Sequence, residues 1–196
     1  MPPLPPPGCA SCVLSAILTA FNPELRGILQ SVASWVLEWT EVKVADGVNL
    51  RLVASASGIR AIEFGLQPVS EYPRNDRNPM LLEAARQLRA YFAGALREFR
   101  LPLDLQGTGF QQQVWRQVAA IPYGETRSYL QISTAVGSPR AVRAVGAANG
   151  ANPVPIVIPC HRVIGANGKL VGYGGGLALK KRLLELEGAI PLSLAL

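Results

Sequence analysis

Histidine is almost missing from this chain: His161 is the only one among 196 residues. Cysteine is nearly as scarce, with Cys9, Cys12 and Cys160. An odd count, with two members in a proline-rich start, gives no disulfide framework. Cys9 and Cys12 form a C-x-x-C, but there is no second Cys or His pair to complete four zinc ligands, so no metal is expected and the pair reads as incidental. Also missing is any run of roughly 18 apolar residues, which excludes a membrane-spanning helix. The short apolar stretch from Val13 to Phe21 has no positive charge before it and makes a poor secretory signal, so a cytoplasmic protein is expected. Acid is rare in one region: between Phe110 and Arg182 there is only Glu125, against nine Lys and Arg.

That last shortage shows where the charge sits. Residues 1–103 carry ten bases against nine acids and residues 104–196 nine against four, so most of the net +6 is C-terminal. A basic half with so little compensation suits a polyanion, with nucleic acid the first candidate and a generically basic surface the alternative. Hydrophobic residues make up 49% of the chain, enough for a real core in one domain of ordinary size or two small ones.

Residues 1–34 begin with "PPLPPP", which favours extended polyproline, and are expected to form a disordered extension. From Val42, Asp46-Gly47 and Ser57-Gly58 punctuate short β-rich runs such as Leu50 to Ala54 and Ile59 to Phe64, the pattern of a small antiparallel meander. Asn78-Pro79 then supplies an N-cap and a first-turn proline. Leu81, Leu82, Ala85, Leu88, Phe92, Leu96 and Phe99 follow at helical spacing and predict one amphipathic helix. "FRLPLDLQGTGF" breaks the pattern and marks a boundary near Leu103, dividing an N-terminal α/β domain (35–103) from a C-terminal one (104–196). Beyond it Phe110, Val114 and Val118 share a helix face that stops at Pro122, Tyr123 and Gly124.

Two short helices come next, "RSYLQISTAV" and "PRAVRAVGAAN", separated by Gly137-Ser138, a helix-turn-helix pattern. The second is nearly bare of side chains at Ala141, Ala144, Gly146, Ala147 and Ala148. A bare helix suits close packing on another helix, or entry into a minor groove only about 6 Å wide. A lone Arg143 on such a face resembles the side chains that minor-groove binders insert between bases. After "NPVPIVIPCHRVIG", Asn167-Gly168 predicts a hairpin. Gly174-Gly175-Gly176 gives a close-approach segment, and "LALKKRLLELEG" a last helix closed by Gly188.

Cys160 and His161 are neighbours. A cysteine attacks only as its thiolate, so its surroundings must help remove the proton. Adjacent residues in an extended segment point to opposite sides, so a direct thiol–imidazole pair is not expected. A water between them would let His161 act as base if an acid oriented the ring from behind. Glu185 and Glu187 are the downstream carboxylates. The competing reading is a buried, inert cysteine. Against it stand the stiff prolines Pro153, Pro155 and Pro159 and the uniqueness of the histidine.

"PVPIVIPCHRVIGANGKLVGYGGGLALKKRLLELEG" closely resembles the active-site region of the O6-alkylguanine-DNA alkyltransferases, the methylated-DNA–protein-cysteine methyltransferases. The resemblance continues upstream through "FQQQVWRQVAAIPYGETRSYLQISTAVGSPRAVRAVGAANGANP" and covers about Leu105 to Gly188. Residues 42 to 103 are similar to the family's variable N-terminal domain. The implied fold is α+β: a small antiparallel sheet with a helix, then a mostly helical, winged helix-turn-helix-like domain.

The implied activity is DNA repair by a single, irreversible transfer of an alkyl group from O6-alkylguanine, with O4-alkylthymine as a second candidate lesion, in duplex DNA to the protein itself. Cys160 would be the acceptor, His161 its base through water and Glu187 the group that orients His161. Tyr129 would hydrogen-bond the leaving guanine. Arg143 would fill the stack when the nucleotide flips out, with Gln111, Ser138, Ala141, Ala144 and Gly146 along the DNA. Asn152 would be the hinge, Val163 and Gly174 backbone contacts to the flipped base, and Tyr173 a wall of the alkyl pocket. No cofactor is implied, and the expected partner is duplex DNA bound by a monomer. Two alternatives remain: a non-catalytic lesion-binding relative, which carries tryptophan where this chain has Cys160, and a cysteine hydrolase of unrelated fold.

Overall fold

A computed structural model describes residues 37–65 and 72–192. The Cys9/Cys12 pair, the polyproline start and the 1–34 extension lie outside the described residues. The described residues open with three antiparallel strands in the order β1-β2-β3: β1 (Glu38–Ala45), β2 (Val48–Ala54) and β3 (Ile59–Phe64). Gly47, at φ 72°, makes the first turn, a conformation that favours glycine. The meander therefore forms where the sequence pattern puts it. Leu50, Leu52, Ala54, Ile59 and Ile62 are buried on it, each larger side chain stabilising the fold by about 1.5–3 kcal/mol.

Helix α1 (Pro79–Phe92) lies against the sheet, contacting all three strands. Its start follows from Asn78, whose side chain accepts the amides of Met80 and Leu81 at 2.9 and 3.2 Å. Its end corrects the sequence expectation. The helix stops at Phe92 because Ala93 caps it and Gly94 turns left-handed at φ 73°, so Leu96 and Phe99 fall outside it, though both still pack on the core. The segment after them returns to the sheet. Ile59 N–H donates to Pro102 O at 2.9 Å and Asp104 N–H to Ile59 O at 3.0 Å, while Ser55 and Arg60 reach the Asp104 carboxylate.

Among the described residues the C-terminal part has four α-helices: α2 (Gly109–Ala119), α3 (Tyr129–Ala135), α4 (Val142–Gly150) and α5 (Gly176–Leu186). Capping boxes fix the starts of α2 and α3, Thr108 with Gln111 and Ser128 with Gln131. Gly137, at φ 73°, turns the chain between α3 and α4, completing the helix-turn-helix. The expected hairpin at Asn167-Gly168 forms only as a turn, closed by Gly165 N–H to Lys169 O at 2.9 Å. Strand β5 (Val163–Ile164) instead pairs in parallel with β4 (Arg127–Ser128), because Gly172 and Gly174 to Gly176 leave no second arm able to hold a strand. The architecture is α+β, and no helix among the described residues is long and apolar enough to cross a membrane.

Candidate active site

The loop from Asn152 to Pro159 determines how Cys160 is presented. The Asn152 side chain fastens both ends, its Nδ2 donating to Ile158 O at 2.8 Å and its Oδ1 accepting from Val154 N at 3.1 Å. Ile156 sits at φ +75°, a strained conformation for a β-branched residue. The chain then enters a 3₁₀ turn over Cys160–Arg162, not the extended segment expected from sequence, because Arg162 N–H bonds back to Pro159 O at 2.9 Å. The divergence of neighbouring side chains survives, since residues about 120° apart around a 3₁₀ axis also point apart.

Cys160 is 5% exposed and faces a cavity of about 270 Å³. Tyr129, Gly146, Asn152, Tyr173 and Gly174 line it. Ile62 and Phe64 of β3 and Asn149 of α4 also form part of its wall. Burial raises the Cys160 pKa; Asn152, the positive Lys180 and the Ile156 amide pull the other way without cancelling it. The resting group is a thiol, so a base must take its proton.

His161 is fully buried and can be that base. Its Nε2 lies 2.9 Å from Glu187 Oε1. Burial would raise the Glu187 pKa, but hydrogen bonds from His161 and Arg162 prevail and bring it down to about 2. The carboxylate is therefore an acceptor, Nε2 carries the ring proton, and Nδ1 is left as the basic nitrogen. Nδ1 is buried and has no hydrogen-bond partner among the described residues. Burial lowers the His161 pKa against the pull of Glu187, keeping the ring neutral and able to accept.

The remaining expected residues are placed as follows. Arg143 is exposed on α4, in a surface hollow with Tyr129, Gly146 and residues 165–166. Ala144 is exposed beside it, and Ser138 and Ala141 line a shallow hollow at the turn before α4. Gln111 spends its side-chain carbonyl on the Thr108 amide at 2.8 Å. Val163 is fully buried and is absent from the cavity wall; its carbonyl accepts from Lys180 Nζ at 2.6 Å. The sequence reading missed Lys180, Arg162, Ile156 and Tyr91. Lys180 and Glu187 share a helix face with Leu183 and Leu184 at a spacing of three and four, a signal that could have marked both as buried. A larger cleft of about 500 Å³ lies against Arg97, Tyr123 and Arg162 but contains neither Cys160 nor His161.

Residues 109–189 match the family model described as 6-O-methylguanine DNA methyltransferase, DNA binding domain, and residues 49–105 the one described as its ribonuclease-like domain. A methylated-DNA–protein-cysteine methyltransferase of Mycobacterium tuberculosis is 64% identical over 104 residues, 53% of this chain and 63% of that protein, so the match spans less than two thirds of that relative's length. The crystal structure of the Mycobacterium tuberculosis O6-methylguanine methyltransferase superposes with a TM-score of 0.71 at 45% identity, covering 78% of this chain and 93% of that one. The same mycobacterial protein in complex with DNA gives 0.69 at 46% identity, over 78% and 92%. A Methanosarcina barkeri relative of the same name is 59% identical over 140 residues and matched along 88% of its length, and on that evidence of shared sequence and fold the chain belongs to the methylated-DNA–protein-cysteine methyltransferase family.

Proposed function

We propose that this protein repairs alkylated duplex DNA by moving the alkyl group of an O6-alkylguanine irreversibly onto Cys160. The observation that carries this reading is a buried thiol at the wall of a cavity, next to a neutral histidine whose other nitrogen is fixed by an ionised carboxylate. In the step itself the Cys160 proton passes through a water to His161 Nδ1. The sulfur lone pair forms the S–C bond as the C–O6 bond breaks, and that bond's electrons stay on the guanine, where a hydrogen bond from Tyr129 offsets the charge. The product thioether has no good leaving group, so each molecule acts once. Nucleophile and electrophile supply all the electrons, and no cofactor is needed.

A base inside the duplex cannot reach a thiol that is 5% exposed, so the nucleotide must flip into the cavity. Exposed Arg143, beside Tyr129 at the cavity's outer side, is suited to fill the gap, with Ser138, Ala141, Ala144 and Gly146 against the backbone. Asn152 fixes the hinge; Tyr173 and Gly174 border the alkyl group. In this reading residues 104–196 bind DNA and carry out transfer, residues 35–103 support them, and the protein works as a monomer in the cytoplasm.

Mixing the protein with an O6-methylguanine duplex and measuring its intact mass tests the proposal. One methyl should replace one hydrogen, on the peptide containing Cys160, at a one-to-one stoichiometry. Cys160→Ala should keep duplex affinity, which comes from phosphate contacts and α4, while transferring nothing. An unchanged mass, or multiple turnover of an ester or peptide substrate, would refute it.

A further inference from the structure

Tyr91 stands near the end of α1, 70 residues before His161, and is fully buried. Its ring packs against Phe92, Phe99 and Tyr123, with centroids 5.6, 5.3 and 6.2 Å away. Phenylalanine would serve that packing equally well. The hydroxyl needs another explanation, because burying it costs free energy unless it is hydrogen-bonded. It donates to Glu187 Oε1 at 2.5 Å, the same oxygen that His161 Nε2 meets at 2.9 Å, and lies 3.4 Å from Nε2 itself. Arg162 holds the carboxylate from the other side, through Nε to Oε2 at 2.8 Å and NH2 to Oε1 at 2.9 Å. Tyr91 therefore joins a helix of the N-terminal part to the acid that orients the base.

We propose that Tyr91 is a positioning residue for alkyl transfer, holding Glu187 Oε1 against His161 Nε2 so that the imidazole keeps its proton there and presents Nδ1 toward Cys160. The inference deepens the alkyl-transfer reading and rests on it for its rate effect, though not for its effect on the ring. Three donors, the phenol, Nε2 and Arg162 NH2, share the charge of that one oxygen. Without the phenol, Glu187 Oε1 would bind the imidazolium more strongly and also be freer to shift. The basicity of His161 would rise while its placement became less defined. The other groups facing His161 are Lys180 from α5, Glu187 at its C-cap, Cys160 and Arg162 from its own turn, and Tyr173 from the loop preceding α5. Of these groups only Glu187 is a hydrogen-bond partner of the Tyr91 hydroxyl, so its removal acts on the ring through that carboxylate.

The single histidine makes the test direct. In the untagged full-length chain, ¹⁵N-histidine labelling yields signals from His161 alone, and long-range proton–nitrogen correlations show which nitrogen is protonated. The wild type should show Nε2–H with a bare Nδ1. Tyr91→Phe should introduce Nδ1–H tautomer, raise the ring's titration midpoint by about half a unit, and slow transfer from an O6-methylguanine duplex about tenfold. The pH–rate profile should move by the same amount as the ring, with duplex affinity unchanged. Tyr123→Phe is the control: its hydroxyl donates to Leu186 O at 3.1 Å in the same aromatic cluster but does not touch Glu187, and its loss should leave the ring signals as they were. An unchanged tautomer, midpoint and rate in Tyr91→Phe would overturn the inference. So would equal changes in Tyr123→Phe, or a wild-type ring protonated at Nδ1, which needs no variant. If the wild type transfers nothing, the functional reading fails while the ring signals still decide what Tyr91 does.

Discussion

Glu187 receives hydrogen bonds from Tyr91, His161 and both ends of the Arg162 fork, and it stays ionised where burial alone would protonate it. Its pKa is lowered from 4.5 in an unfolded chain to about 2. The sign follows: a depressed carboxyl contributes stability that is fully present above about pH 4.5 and lost as pH falls through about 2. The size is about 3 kcal/mol. Glu187→Gln keeps the shape but leaves the Arg162 guanidinium buried without its counter-charge. In urea unfolding, the deficit of Glu187→Gln against wild type should be largest between pH 5 and 7, at about 3 kcal/mol, and close as pH approaches about 2. A deficit that does not change with pH would show that packing, not charge, is what Glu187 supplies. The residues alone left Glu185 and Glu187 open and the family resemblance singled out Glu187, whereas Cys160 and His161 were legible in the sequence because a short motif with a unique histidine marks them. Tyr91 and Lys180 were not: helical periodicity says which residues are buried, and says nothing of which oxygen a buried polar atom will meet.

The short elements show the same division between what is local and what is not. The Asn78 cap, the Gly47 turn and the α3–α4 pair depend on neighbouring residues and were readable, while the capping boxes at Thr108 and Ser128, equally local, were passed over. The end of α1 is set locally at Gly94 but was masked by Leu96 and Phe99, which keep the apolar spacing of a helix while packing on the core from a loop; the fate of the Asn167-Gly168 turn depends on a distant partner, because β5 finds its strand partner at Arg127 and Ser128. Helix α4 has consequences for function. Val145 and Ala148 face inward, while Arg143, Ala144 and Ala147 are exposed, so a single long side chain rises from a nearly flat surface. If it fills the gap left by an extruded nucleotide, Arg143→Ala leaves unstacking uncompensated by a few kcal/mol, on the order of a hundredfold in rate. Transfer from duplex should slow by that factor, whereas free O6-benzylguanine, which needs no flipping, should alkylate Cys160 at its normal rate. Arg143→Lys keeps the charge and loses the planar group, so it should restore affinity more than rate. Equal slowing of duplex and free base would place Arg143 in the transfer site or the fold instead.

The N-terminal sheet is more than an appendage to the reactive half, for three reasons. Ile62 N–H donates to Pro153 O at 2.8 Å, binding β3 to the loop that presents Cys160. Phe64 packs on Tyr173 with centroids 5.4 Å apart, and Arg182 of α5 donates to Asp46 O at 2.9 Å. With the Tyr91–Glu187 bond, these contacts imply that the two halves unfold together. Gly58 tests this because it sits where β3 meets the returning chain. A Cβ there would lie 2.7 Å from Pro102 O and 2.8 Å from Leu103 C, both backbone atoms that cannot swing aside. Gly58→Ala should cost about 1–3 kcal/mol through that overlap. Native-state hydrogen exchange reads the outcome segment by segment. In the wild type, the slowest amides of β2 and of α5 should open with the same free energy. In Gly58→Ala both should fall by the same amount, although α5 is not touched by the substitution. Were the halves held together by chain connectivity alone, β2 would lose protection and α5 would keep it.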